Sequence, residues 1–267
     1  MNHRFKDYSS NNKVSKQMAM ILGRVTHHVH PEIVKKVVQD NIRFKNEFEK
    51  FCPNTDLVKD YFYEGSDCIF PGLRRAVGVE KSKGWKYKIN SKDGTILDGN
   101  TYPRHIWAYL CAGRGYSGGA GGFYSTSGLD AFEISHIFSH KIDERIHEPK
   151  AFKTYHEHIK PYALFSSASN TVLIPKWLPK PTDKSEILKL IFYKRHLELY
   201  SGISTLPGLS DFNEDLVPKW YSSIIWSEPE LPIDWEKKVD ELLKYRNKHL
   251  QQKYLKPAKC IDLPLIK

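Results

Sequence analysis

Residues 131–141 read AFEISHIFSHK. The run from Leu129 to Phe138 has the composition and short period of a strand bounded by polar residues. His136 stands in the middle of it, with Glu133 and Ser135 before it and His140 after it. A histidine at the end of a rigid strand is held more firmly than one on a loop, which suits a group that must present a ring nitrogen to chemistry.

A polar stretch follows, and then NTVLIP at 170–175 reads as a second strand opened by Asn170. WLPKPTDKSEILKLIFYKRHLELY, residues 177–200, reads as a helix after a proline-rich approach. Asp183 with Glu186 three residues later has the form of a capping box, and Ile187, Leu188, Leu190, Ile191 and Leu197 give an apolar stripe. His196 is expected on the Lys-Arg face of that helix.

The chain as a whole is basic. The chain has 267 residues with 41 Lys and Arg against 31 Asp and Glu, a net charge of +10, which favours a polyanionic partner. Its length and 40% hydrophobic content are enough to bury a sizeable core. Cys52, Cys68, Cys111 and Cys260 form no CxxC pair, so neither a zinc ribbon nor a disulfide framework is expected. The polar N-terminus lacks an apolar targeting core, and no run of ~18 apolar residues occurs, so a cytoplasmic protein without membrane spans is expected.

Short apolar spacing predicts helix between Val14 and His30, and Pro31 opens a longer one over 31–51 with Ile33, Val34, Val37, Val38, Ile42, Phe48 and Phe51 on one face. FPGLRRAVG at 70–78 reads as a basic loop. WKYKINSKDGTIL at 85–97 reads as a hairpin turning at Asp93-Gly94. GRGYSGGAGG at 113–122 reads as a loop, because no GK[ST] or strand-to-helix GxGxxG accompanies it. A last Lys/Arg-rich helix is expected over 234–255. The histidines of HHVH (His27, His28, His30) and of HEH (His156, His158) have no further ligand set at metal spacing and are expected at the surface.

Strand, polar loop, strand and helix, with a histidine on the first strand and an asparagine opening the second, resembles the HNH (ββα-metal) nuclease family. The matching pieces are FEISHIFSHK and NTVLIPKWLPK, with His136 and Asn170 thirty-four positions apart. The likeness runs from Phe132 to the end of the following helix; the flanks carry none. It implies that His136 is the general base, that Asn170 steadies the histidine-bearing loop, and that Mg²⁺ or Mn²⁺ sits under the scissile phosphate. The chemistry gives those types a reason. Imidazole titrates at ~6.5, a cation neutralises phosphate charge, and the ring must be held with the correct nitrogen unprotonated.

Two positions depart from the family pattern. Many members carry Asp directly before the histidine, where this chain has Ser135; FEISHI looks like a branch with Glu three residues before it. The second usual ligand falls on Pro179, whose side chain binds no metal. Asp183, one helical turn further if the helix has begun, is then the expected ligand, with Glu133 or His140 as its partner.

The reading is an α+β protein: an HNH-like ββα-metal core over 125–200, a helical and hairpin DNA-contacting region over 1–124, and a basic helical region over 201–267. Arg74, Arg75, Lys86, Lys88 and Arg114 are the expected nucleic-acid contacts. The implied function is a metal-dependent endonuclease on double-stranded DNA in a sequence-specific restriction or defence role, acting as a homodimer on a symmetric site. Ser135 and Pro179 favour the alternative of a nucleic-acid-binding protein with a non-cleaving core. A ribonuclease or toxin nuclease shares the same core.

Overall fold

The computed structural model describes residues 12–51, 55–75, 88–89, 96–98, 101–116, 127–140, 145–157, 159, 161–178 and 185–254. Its helices are α1 (Asn12–Val25), α2 (Pro31–Phe51), α3 (Thr55–Tyr61), α4 (Thr101–Ala112), α5 (Glu148–Ala151), α6 (Glu186–Tyr200) and α7 (Trp235–Tyr254). Its strands are β1 (Leu73–Arg75), β2 (Lys88–Ile89), β3 (Ile96–Asp98), β4 (Phe132–His136), β5 (Phe152–Tyr155), β6 (Thr171–Pro175) and β7 (Leu209–Phe212). The α+β class is therefore as expected.

β4 and β6 form an antiparallel ribbon in which His136 faces Thr171 and Phe132 faces Pro175. The other edge of β6 is covered by the segment joining α1 to α2, where His27 exchanges both backbone bonds with Leu173 at 3.0 and 3.1 Å. β6 is thus central and buried on both faces, which is why it reads as a continuous apolar run rather than an alternating one. Ile134 and Leu173 look into one cluster with α2, α4 and α7; Val172 and Ile174 look into a second with α1 and α6.

β2 and β3 are the expected hairpin, with Lys88 opposite Leu97; its turn lies outside the described residues. The basic stretch before it is not wholly loop, since Leu73–Arg75 pairs in parallel with Ile96–Asp98. β5 and β7 make a separate antiparallel pair joining Phe152 to Phe212.

α2 runs over the expected range, but its inward stripe is Ile33, Val34, Val37, Asn41, Phe44 and Phe48, and Ile42 is 70% exposed. The inward place goes to Asn41 because its amide has buried partners: it donates to the carbonyls of Ser66 and Cys68 and accepts from Arg246. Asp67, in the same 66–70 segment, accepts from Ser167 Oγ and from the Ser169 backbone N–H, each at 2.6 Å. Burial raises its pKa, while those two bonds oppose the rise. This segment fixes the turn that feeds β6.

α6 begins later than expected. Ser185, not Asp183, is its N-cap, accepting from Leu188 N at 3.4 Å. The helix is buried almost all round, and His196, expected on the Lys-Arg face in a solvated or core-edge role, is 1% exposed with Nε2 on Ser169 Oγ at 3.2 Å.

Candidate active site

His136 closes β4, half-buried, and its Nε2 lies 2.9 Å from the carbonyl oxygen of Phe165. A carbonyl only accepts, so Nε2 carries the proton and, in the neutral ring, Nδ1 holds the lone pair. The Phe165 ring stacks on the imidazole at 5.7 Å between centroids, and His140 meets it edge-on at 4.6 Å. That hydrogen bond and the two ring contacts orient the imidazole.

Asn170, fully buried, holds the chain just past the histidine. Its Oδ1 accepts from Phe138 N at 2.7 Å, and its Nδ2 donates to the carbonyls of Phe138 and Leu164 at 3.0 and 2.9 Å. Its own carbonyl accepts from Ile137 N. Asn170, expected to steady the histidine-bearing loop, is thus placed on the backbone of Phe138 and Leu164.

Among the described residues, His140 is the expected ligand that lies beside His136. Alternation along β4 puts Glu133 and Ser135 on the face opposite Ile134 and His136, toward Val172 and Ile174. His140 is adjacent but buried, 4% exposed. Asp183 and Pro179 lie outside the described residues, and α6 starts after Asp183 rather than around it. Among the described residues no group of three or more His, Cys, Asp or Glu side chains is placed to hold a metal ion. Two imidazoles are nitrogen donors that suit Mn²⁺ or a later transition ion; Mg²⁺ requires oxygens, which the described residues do not supply here.

The expected nucleic-acid contacts are scattered. Arg74 and Arg75 lie on β1 and Lys88 on β2, the two outer strands of one small sheet. Arg114 is exposed after α4, and Lys86 lies outside the described residues. The HHVH histidines diverge. His27 Nδ1 pairs with Glu230 at 2.6 Å, whereas His28 is buried against Phe192 and Trp226, against the expectation of a surface position. His156 is exposed as expected, and His158 lies outside the described residues.

Three groups at the site carry no signature in the sequence pattern. The Phe165 carbonyl is backbone. Glu148 comes from a four-residue helix and accepts from Ser139 N at 3.0 Å. Lys189 is buried within α6 and donates to the Ile137 carbonyl at 3.1 Å. Of these only Lys189 leaves a hint, a lysine interrupting the apolar run ILKLIF. No family model, no curated protein and no solved structure matches the chain.

Proposed function

We propose that this chain is a divalent-metal-dependent endonuclease acting on double-stranded DNA in a restriction or defence role, with His136 as general base. The observation that carries the reading is the His136–Phe165 hydrogen bond at the end of an antiparallel ribbon. It supports the reading because Nε2–H rests on a carbonyl dipole that would stabilise the ring once charged, as a general base requires. Asn170 supports it as the brace of the following loop. The net charge of +10 supports a polyanionic substrate. The cation belongs to the reading through the family resemblance, and the described donors do not by themselves complete its site.

Glu133 on the far face of β4 favours the second reading, a protein that binds nucleic acid through a non-cleaving core. The two readings separate in one experiment. Unmodified and modified duplex DNA is incubated with wild type and with His136→Ala, in Mg²⁺, Mn²⁺ or EDTA. The nuclease reading expects discrete metal-dependent fragments, with the rate in the variant lower by about 10²- to 10⁴-fold. Salt-sensitive binding without cutting in every condition supports the second reading instead. Cutting that survives in His136→Ala removes His136 as the base, and cutting confined to RNA moves the substrate class.

A further inference from the structure

The two imidazoles are joined by three residues, and nearly every backbone polar group of that link is tied to a named partner. Ile137 N donates to the Asn170 carbonyl, and both the N–H and the carbonyl of Phe138 meet the Asn170 side chain. The two ends of the link are held by ionisable side chains from elsewhere. Lys189 of α6 donates to the Ile137 carbonyl, and Glu148 of α5 accepts from Ser139 N.

Both side chains are costly where they stand. Lys189 is 7% exposed and Glu148 1% exposed. Taking an ammonium or a carboxylate out of water costs several kcal/mol unless partners compensate. Lys189 also lies in the first turn of α6, where the helix dipole disfavours a cation. Leu or Met there would continue the apolar run without either cost. The carboxylate and the ammonium share a neighbourhood: Lys189 Nζ lies 6.0 Å from the centre of the Tyr193 ring one turn on. Burial and then the Glu148 carboxylate push the Tyr193 phenol well above its ordinary range. The buried Arg145 guanidinium faces Glu148 as well.

We propose that Lys189 and Glu148 are positioning residues for the His136–His140 pair, pinning the two ends of the link whose centre Asn170 holds. Its consequence for catalysis rests on the nuclease reading; its consequence for ring geometry does not. With the link fixed, the two imidazoles keep their perpendicular contact and His136 Nε2 stays on the Phe165 carbonyl. Releasing one end lets the imidazole rotate off that carbonyl and mixes its tautomers.

The test uses the full chain with Lys189→Met and Glu148→Leu. Side-chain ¹⁵N spectra read the His136 tautomer, and kcat and KM are measured on duplex DNA. In wild type the spectrum shows the Nε2–H form; in each variant it shows a mixture. kcat falls by about 10- to 100-fold, as expected for displaced reacting groups, while KM stays within about twofold. Glu148→Gln, which keeps an acceptor oxygen, and Lys189→Arg, which keeps a donor, recover most of the loss and cover the case in which a deletion fails to fold. A wild-type tautomer spectrum in both deletion variants overturns the proposal, whatever happens to the rate. A wild-type protein that cuts nothing overturns the nuclease reading alone, and the spectra still decide the positioning.

Discussion

His28 has both ring nitrogens buried and without a hydrogen-bond partner. Burial, and then the charges of Arg195, His196 and His27, lower its pKa from 6.5 to about 3. His196 is lowered to about 3 by burial. Both rings are therefore neutral in the folded protein across the range where an unfolded chain takes up their protons. The unfolded state binds more protons below its pKa of ~6.5, so stability falls with pH from there toward about 3. The expected slope is roughly 1.4 kcal/mol per pH unit for each histidine. Urea denaturation of wild type and variant side by side between about pH 6.5 and pH 5 reads it, because the contributions of the raised Asp67 carboxyl and the lowered His147 cancel in the difference. His28→Phe keeps an aromatic ring between Phe192 and Trp226 and removes one proton, so its slope is expected to be lower than that of wild type by up to about 1.4 kcal/mol per pH unit. An unchanged slope would mean that His28 takes up its proton in the folded state.

At the level of elements, the sequence is readable where one face decides burial. α2 and α7 have long period-3.6 stripes, and both lie within a residue of their expected ends. β4 and β6 were legible because short apolar runs stand between polar segments. α4 was not, because TYPRHIWAYLCA is buried on several sides and offers no polar face to define a period. β5 and β7 were not, because four-residue strands pair across more than fifty positions and neither is stable without the other. The site divides the same way. His136 and Asn170 stand out as polar residues at the edges of apolar runs, while Glu148, Lys189 and the Phe165 carbonyl act through contacts that only the fold brings together. The start of α6 shows how local chemistry misleads: Asp183 and Glu186 match a capping pattern, yet Ser185 takes the cap. Ser185→Ala is expected to cost about 1 kcal/mol in urea denaturation through loss of the bond to Leu188 N. A variant as stable as wild type would show that this cap contributes nothing.

Across the whole molecule, one face of the ribbon carrying His136 is covered by helices from outside residues 125–200. Ile134, Phe165 and Leu173 share one hydrophobic cluster with Val34 and Val37 of α2, Ile106 and Trp107 of α4, and Val239 and Leu242 of α7. α2 and α7 are also locked together by Arg246, which is fully buried. It donates from Nη1 to Asn41 at 2.8 Å, pairs with Asp40 through Nη2, and stacks its guanidinium 3.9 Å from the centre of the Phe44 ring. Removing the cation strands Asn41 Oδ1 in the interior and leaves Asp40, 21% exposed, with the exposed Arg43 at 3.2 Å in place of a buried cation. Arg246→Met is therefore expected to lose about 3 kcal/mol, the lower end for breaking a buried pair, because water reaches Asp40. The loss propagates to the site, since Asn41 also braces the 66–70 segment whose Asp67 holds the turn before Asn170. Near-ultraviolet circular dichroism and tryptophan fluorescence should then melt together in one transition, because the tryptophans of α4 and α7 and the ribbon share that cluster. For the same reason residues 125–200 expressed alone are expected to stay unfolded, with amide proton shifts collapsed into the random-coil range. A dispersed spectrum from that fragment would show instead that the ribbon and α6 fold on their own contacts.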